Sequence, residues 1–440
     1  NRSIQTASLP ILEAIHDAEK TGRPLQLLSV DLKAAFDTIA PQAIFEVMEK
    51  EKFPEIYIGA LKQLTETGKG RVNVNDQIGP LLDIESGNGQ GNPPSASTFN
   101  IGSDPLLRAI NNETQEYRYV FSNGRKLPMI AFADDHLKGL TITNTEQITR
   151  IFEIYRKYQE ISGLKVSLDK TVILGINTDP ELLQEIAAIT GIKVVTEFKH
   201  LGLQIRQTYN ETKQASYMAV EEGMANKCER INSSFVDLFH KRQLIKTVVM
   251  PSFNHIYMSL GYCEEAGQRL DNQILRLLWT KKVNGQVKQG RRMVAKKRIN
   301  ASYEMGGLKM DFSRETAMGL LANMIQKQQN RMGEEGEQPF INILFREYLR
   351  EIDAPRLEEL TNMSGPRIWR KYSKKLENKS PFFSQVLLAM AEMLELNEKD
   401  KNSWGTANIA GHSSMSSLYE ISAADGITLA QYNLTQVQQL

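Results

Sequence analysis

Three aspartates set the chemistry available to this sequence. Asp31 closes the short apolar run "PLQLLSVD" (24–31), and Asp134 and Asp135 stand side by side in "MIAFADDHLKGL" (129–140). There an apolar run, Met129 to Phe132, leads into the acids, and a second partly apolar run follows from Leu137. Two carboxylates at the tip of a buried hairpin need compensation by a basic partner, a shared proton or a metal ion. Each piece alone is weak. An aspartate at a strand end is often a helix cap, and an acid in a turn is usually solvated. The signal lies in the order of the pieces along the chain.

The elements that must position these acids follow from local pattern. The 24–31 run reads as a buried strand. "RVNVNDQIGPLLDIES" (71–86) reads as two strands around an Asn75–Asp76 turn. "GNGQGNPPSAS" (87–97) is a Gly- and Pro-rich loop whose Pro93–Pro94 pair suits the opening of a helix. Residues 144–163 carry Ile148, Ile151, Phe152, Tyr155 and Tyr158 at helical spacing, with Asn144 or Thr145 as cap and Gly163 as stop. "LKVSLDKTVILGI" (164–176) returns to strand character. Beyond about residue 210 the pattern turns helical, as in 241–260 and 269–282. An α+β half thus precedes an all-α half.

At 440 residues, two or three domains are expected. No apolar run is long enough to span a membrane, and the first residues lack a signal-peptide layout. Cys228 and Cys263 cannot build a disulfide framework or zinc knuckle by themselves and read as intracellular thiols. The expected location is nucleus or cytoplasm, with no secretion. Net charge is only +1, but the cations cluster. The segment 281–298 holds eight basic residues and no acid, and 367–379 holds six against Glu377. Each reads either as a polyanion-binding face or as a solvated loop. His200 and His240 have no paired ligands and read as structural.

The ordered series resembles the palm of reverse transcriptases, and within that family the non-LTR, LINE-type retrotransposon enzymes. The resemblance rests on "VDLKAAFDTI" (30–39), "GNGQGNPPSASTFN" (87–100), "MIAFADD" (129–135), "GLKVSLDKT" (163–171) and "FKHLGLQI" (198–205). "LIKTVVMPSFNHIY" (244–257), "LLW" (277–279) and "GGLKMDF" (306–312) extend it to about residue 325. It implies an α+β fold: a right-hand polymerase palm with an antiparallel sheet and partial fingers, then a helical thumb and helical C-terminal region. The implied domains are 1–210 for fingers and palm, 211–325 for thumb and post-thumb region, and 326–440 with no assigned role.

The resemblance also implies roles. Asp31, Asp134 and Asp135 would hold two Mg²⁺ ions, with Mn²⁺ as the alternative. RNA template, DNA primer and dNTPs would be the partners, and no membrane. Gln90 and Gly91 would line the nucleotide, with Phe36 beneath its sugar. Phe198, Leu201 and Gly202 would grip the primer end. Lys170 would either protonate the leaving pyrophosphate or be a plain surface lysine. Arg291, Arg292, Lys296 and Lys297 would contact backbone phosphates. Trp369 reads as packed rather than as stacked on a base.

The chain departs from the family in places. Gly89 stands where the family has an arginine before the motif glutamine, and "NPPSAS" replaces "PLSP". Only 30 residues precede Asp31, which implies fingers truncated at the N-terminus. An RNA-dependent RNA polymerase shares the palm but usually carries a small or polar residue where Phe36 stands. A domesticated, inactive nucleic-acid-binding relative is disfavoured by the intact acids. An intron maturase is disfavoured by "GGLKMDF".

Overall fold

A computed structural model of the chain describes residues 4–66, 69–83, 87, 93–233, 236–283, 286–290, 294–301, 303, 306–330, 339–362 and 365–403. The chain divides into two units, Ala14–Tyr209 and Asn1–Glu13 with Asn210–Leu440.

In the first unit the 24–31 run forms strand β1 (Leu25–Val30), the middle of a five-stranded sheet. Its neighbours are β3 (Asp135–Leu140) on one side and β4 (Val172–Ile176) on the other. Strands β2 (Ile130–Phe132) and β5 (Lys193–Val194) complete the order β2-β3-β1-β4-β5. All pairings are antiparallel except β4 with β5. Leu25, Leu27, Leu28 and Val30 are all buried, so the sheet is covered on both faces at its centre. That is why the run is apolar without alternation.

Two helices form the core against one face. Helix α1 (Ser95–Glu113) opens directly after Pro94, and it buries Phe99, Leu106 and Ile110. Helix α2 (Thr145–Ser162) begins where the Asn144 side chain accepts a hydrogen bond from the Gln147 N–H at 3.2 Å. It ends at Gly163, whose φ of 76° is the left-handed stop. Its stripe of Ile148, Ile151 and Tyr155 joins Leu28, Val30 and Ile173 of the sheet in one cluster. The 71–86 segment forms the expected hairpin, Lys69–Val74 with Gln77–Asp83. Asn75 and Asp76 are both left-handed there, as a two-residue turn demands.

The second unit is mainly helical, with one departure from expectation. Residues 241–260 are helical as expected, and Leu238–Leu244 passes through a π-turn at Ile245–Val249 before Pro251–Leu260. Pro251 has no N–H to donate to the preceding turn, and the helix rearranges around it. The start of the basic run is a hairpin, Thr280–Val283 paired with Gln286–Gln289. The signal was present: Thr280, Val283 and Val287 favour strands, and the intervening sequence is Asn284–Gly285, a favoured hairpin pair.

Gly163 ties helix α2 to the chain after β1. The Ala40 N–H donates to the Ser162 carbonyl at 2.8 Å, and a Cβ on Gly163 would lie 2.6 Å from the Thr38 carbonyl oxygen. Gly163→Ala therefore meets both a left-handed backbone and a carbonyl that belongs to backbone. We expect a loss of about 2 kcal/mol or more, read as a lowered urea midpoint at unchanged m-value. An unchanged midpoint would show that the Thr38 loop yields freely.

Candidate active site

Register brings the acids together. Val30 pairs with His136 across β1 and β3, so one further step sets Asp31 opposite Asp135. Phe132 pairs with Asp135 across β2 and β3, which leaves Ala133 and Asp134 as the hairpin turn. Ala133 takes φ 53°, a left-handed conformation that costs an L-residue on the order of 1 kcal/mol. A carboxylate-bearing corner thus forms at one end of the sheet from residues a hundred positions apart.

The backbone of Asp31 is clipped at both ends by the 167–171 turn. Its N–H donates to Thr171 Oγ1 at 3.3 Å, and its carbonyl accepts from the Ser167 N–H at 2.9 Å. Thr171 Oγ1 in turn donates to the Ser167 carbonyl at 2.8 Å. The same turn carries Lys170, which places its Nζ 3.7 Å from Asp31 Oδ2. Lys170 is otherwise open to solvent, its side chain 73% exposed. Thr171 is fully buried and was not singled out from sequence; a threonine just before a strand carries no mark of such a role.

The electrostatics are those of an under-compensated cluster. Burial, then Asp134, then Asp31 push the Asp135 carboxyl above its ordinary range. Asp31 Oδ2 is a buried atom that accepts no hydrogen bond among the described residues. All three acids offer hard oxygen donors, which fit Mg²⁺ or Mn²⁺ rather than a thiol- or imidazole-seeking metal. By chemistry the residues fit a divalent cation. Among the described residues, no group of three His, Cys, Asp or Glu side chains is already gathered as a metal-holding set.

Phe36 sits on the short helix Ala35–Thr38 just after Asp31, half-buried. Its ring stacks on Phe99 of α1, centroids 4.4 Å apart. Gly87, the first residue of the Gly-rich loop, abuts this helix closely: a Cβ there would lie 2.9 Å from Asp37 Cα and 3.0 Å from the Phe36 carbonyl oxygen. Gln90 and Gly91 lie outside the described residues. Phe198, Leu201 and Gly202 form one hairpin, Glu197–His200 with Leu203–Arg206, whose turn holds Leu201 at φ 46° and Gly202 at φ 82°. His200 is buried in that hairpin, where burial lowers its imidazole to about 4.

In the second unit, Arg291 and Arg292 lie outside the described residues, as does the side chain of Lys297. Lys296 places its Nζ 2.5 Å from the buried Asp271 carboxylate and 4.3 Å from the Phe312 ring centre, with its side chain 41% exposed. Trp369 is fully buried.

One group sequence reasoning missed lies directly behind the aspartates. His136 and Lys138 follow Asp135 on β3 and point to the helix-covered face. Both are fully buried, and both meet the hydroxyl of Tyr155 on α2: His136 Nδ1 at 3.0 Å, Lys138 Nζ at 2.7 Å. Burial lowers the imidazole to about 3 and the ammonium to about 7. The alternation of "DHLKGL" suggests one polar, wet face, whereas both faces of β3 are covered.

Residues 1–205 match the family model described as "Reverse transcriptase (RNA-dependent DNA polymerase)". The relatives the chain resembles belong to retrotransposons. The chain is 21% identical over 273 residues to the Pol polyprotein of the type-2 retrotransposable element R2DM of Drosophila melanogaster, a match to 60% of this chain and 25% of that protein. It is 23% identical over 161 residues to the transposon TX1 149 kDa protein of Xenopus laevis, covering 37% of this chain and 12% of that one. The chain thus spans a quarter or less of these relatives. Among solved structures, apo telomerase from Candida tropicalis aligns with 74% of this chain and 50% of its own at 14% identity and a TM-score of 0.36. Telomerase from Candida albicans in complex with a TWJ fragment of telomeric RNA aligns with 63% and 49% at 13% identity, again with a TM-score of 0.36. No helix among the described residues is long and apolar enough to cross a membrane.

The buried lysine gives a pH signature with a definite sign. Lys138 drops to about 7 from 10.5, so between those values the unfolded chain holds the extra proton. Stability therefore rises as pH rises from about 7 to 10.5, and the contribution is flat below 7. The span is on the order of 5 kcal/mol at 1.36 kcal/mol per pKa unit. Lys138→Met should flatten the rise, read as the wild-type minus variant difference in urea stability at pH 7 and pH 10. A constant difference would mean that the ammonium finds water in the folded state.

Proposed function

We propose that the chain is the RNA-directed DNA polymerase part of a non-LTR retrotransposon protein, which adds dNTPs to a DNA primer on an RNA template. The observation that carries this reading is the β1–β3 register, which puts Asp31 against the Asp134–Asp135 turn inside the residues that match the reverse transcriptase family model. In this reading residues 1–210 are fingers and palm, and 211–325 thumb and post-thumb region.

Asp31 and Asp134 would hold the divalent ions, and Asp135 would support the corner. Bound Mg²⁺ supplies charge neutralisation at the triphosphate and acidifies the primer hydroxyl. The chain does the rest. Lys170, exposed and 3.7 Å from Asp31, is free to swing to the leaving pyrophosphate and donate its proton there. The 167–171 turn holds Asp31 at a fixed height by both its backbone groups. Phe36, braced by Phe99, presents a rigid ring beside the catalytic strand, beneath the sugar of the incoming nucleotide. The hairpin turn at Leu201–Gly202 positions the primer end. The basic residues of the 281–298 run would contact the phosphates without reading sequence.

Asp134→Asn should lower the rate of primer extension roughly a thousandfold, about 4 kcal/mol of barrier. Binding of an RNA–DNA hybrid, measured in parallel, should be unchanged. Retained extension would remove Asp134 from the site.

Phe36 sets the choice of sugar. A 2′-hydroxyl pressed against the ring loses water without gaining a partner, at about 1–3 kcal/mol, or roughly 5- to 150-fold. Phe36→Ala should lower the ratio of kcat/KM for dNTP over rNTP by that factor. An unchanged ratio would leave Phe36 as packing for Phe99 only, and a wild type that prefers rNTPs would favour an RNA polymerase.

A further inference from the structure

The second basic cluster of the sequence, 367–379, is absorbed by none of this. It forms helix α5 (Pro366–Leu376), which packs on the next helix, α6 (Pro381–Ser403), both within the second unit; α3 (Glu264–Trp279) and α4 (Ser313–Asn330) belong to the same unit. Between these elements runs a groove of about 720 Å³.

Helix α5 divides its residues sharply. Pro366, Trp369, Ser373 and Leu376 are buried. Ser373 donates to the Ser384 carbonyl at 2.9 Å, and Ser384 returns a bond to the Ser373 carbonyl at 2.9 Å, which locks α5 onto α6. Arg367, Lys371 and Lys374 line the groove from the adjacent face and are exposed. Other cations of the groove have carboxylate partners: Arg314 has Glu264 at 3.1 Å and Glu392 at 2.6 Å, and Arg370 has Glu395 at 2.7 Å. Arg367, Lys371 and Lys374 make no ion pair among the described residues; Lys371 contacts only the neighbouring Tyr372 ring, at 5.4 Å. Glu377 is the acid that remains on the rim. The floor is apolar, with Tyr262, Met318 and Leu388.

We propose that this groove is a binding site for single-stranded nucleic acid, with the phosphates along Arg367, Lys371 and Lys374 and a base on the apolar floor. The three cations span about 10 Å of a helix that rises 1.5 Å per residue. One phosphate cannot meet them all, whereas a strand can. An aromatic and aliphatic floor beside a cationic stripe is how unpaired strands are held without sequence preference. A duplex offers the same phosphates but keeps its base faces stacked inside. An acidic peptide offers charge but no planar ring. The site stands in the second unit and does not depend on the polymerase reading.

The test uses the whole 440-residue chain carrying Asp134→Asn, so that no synthesis is read. Fluorescence anisotropy follows labelled rU12 and dT12, and a 12-base-pair DNA duplex, across a salt series. The triple variant Arg367→Ala, Lys371→Ala, Lys374→Ala should lose at least tenfold in affinity for one or both single strands. The arm that falls names the source, RNA or DNA. The log–log salt slope should become shallower by about 2, at roughly 0.7 per phosphate contact for single strands. The charge-preserving triple Arg367→Lys, Lys371→Arg, Lys374→Arg should bind as the parent does. A 4-thiouridine in rU12 should crosslink at Tyr262 or between Pro381 and Leu388. Unchanged affinity in the alanine triple, equal loss in the charge-preserving triple, equal loss on the duplex, or crosslinks confined to residues 14–209 would each overturn the proposal. So would a glutamate 12-mer that displaces rU12 as well as unlabelled rU12 does.

Discussion

Like charges gathered at the end of a covered sheet repel one another, and repulsion grows as water is excluded. Asp31, Asp134 and Asp135 impose that constraint on the whole first unit. The fold relieves it only in part, through the solvent-exposed Lys170 amine 3.7 Å from Asp31 Oδ2. It resists it mechanically. Asp31 is pinned through its backbone by Ser167 and Thr171. The hairpin that carries the other two is pinned from behind, where His136 and Lys138 share the Tyr155 hydroxyl. The outcome is a pre-assembled negative corner with a raised Asp135 carboxyl, poised for a cation or a cationic transition state.

Much of this was legible in the sequence. The apolar run ending in Asp31, the Asn144 cap, the Gly163 stop and the Asn75–Asp76 turn are local signals with local causes. They emerged as read. What stayed hidden depends on burial by distant elements. The alternation of "DHLKGL" tells which residues share a face but not whether helix α2 will cover that face. A lysine there looks like a surface residue until Tyr155 is found above it. Lys296 shows the same limit in reverse: a cation in a run without acids is claimed by Asp271, 25 positions upstream. The hairpin at 280–289 does carry a local signal, an Asn–Gly pair between β-branched residues within a run of charges.

Backbone strain follows the same segments. Ala34, three residues after Asp31, has φ 46°; Ala133, one before Asp134, has φ 53°; Leu201, in the second hairpin, has φ 46°. None is a glycine, and each costs an L-residue on the order of 1 kcal/mol. Strained turns of this kind persist where neighbouring structure over-determines them. Here the β1–β3 ladder, the Phe36–Phe99 stack and the Glu197–Arg206 hairpin do so.

The register of β1 against β3 also governs how the length of such a chain can vary. Side chains alternate faces with a period of two, so one residue inserted between Leu25 and Asp31 would turn Asp31 to the opposite side of the sheet from Asp135. The loops between Lys33 and Ile130 are under no such restriction. Lengthening a flexible connection costs only about 0.6 kcal/mol per doubling, and the exposed 69–83 hairpin already lies in that span. Insertions among related chains should accordingly collect between the two acidic segments and be missing inside them. The interval between the acids is free to drift, while the strands that carry them are fixed to the residue.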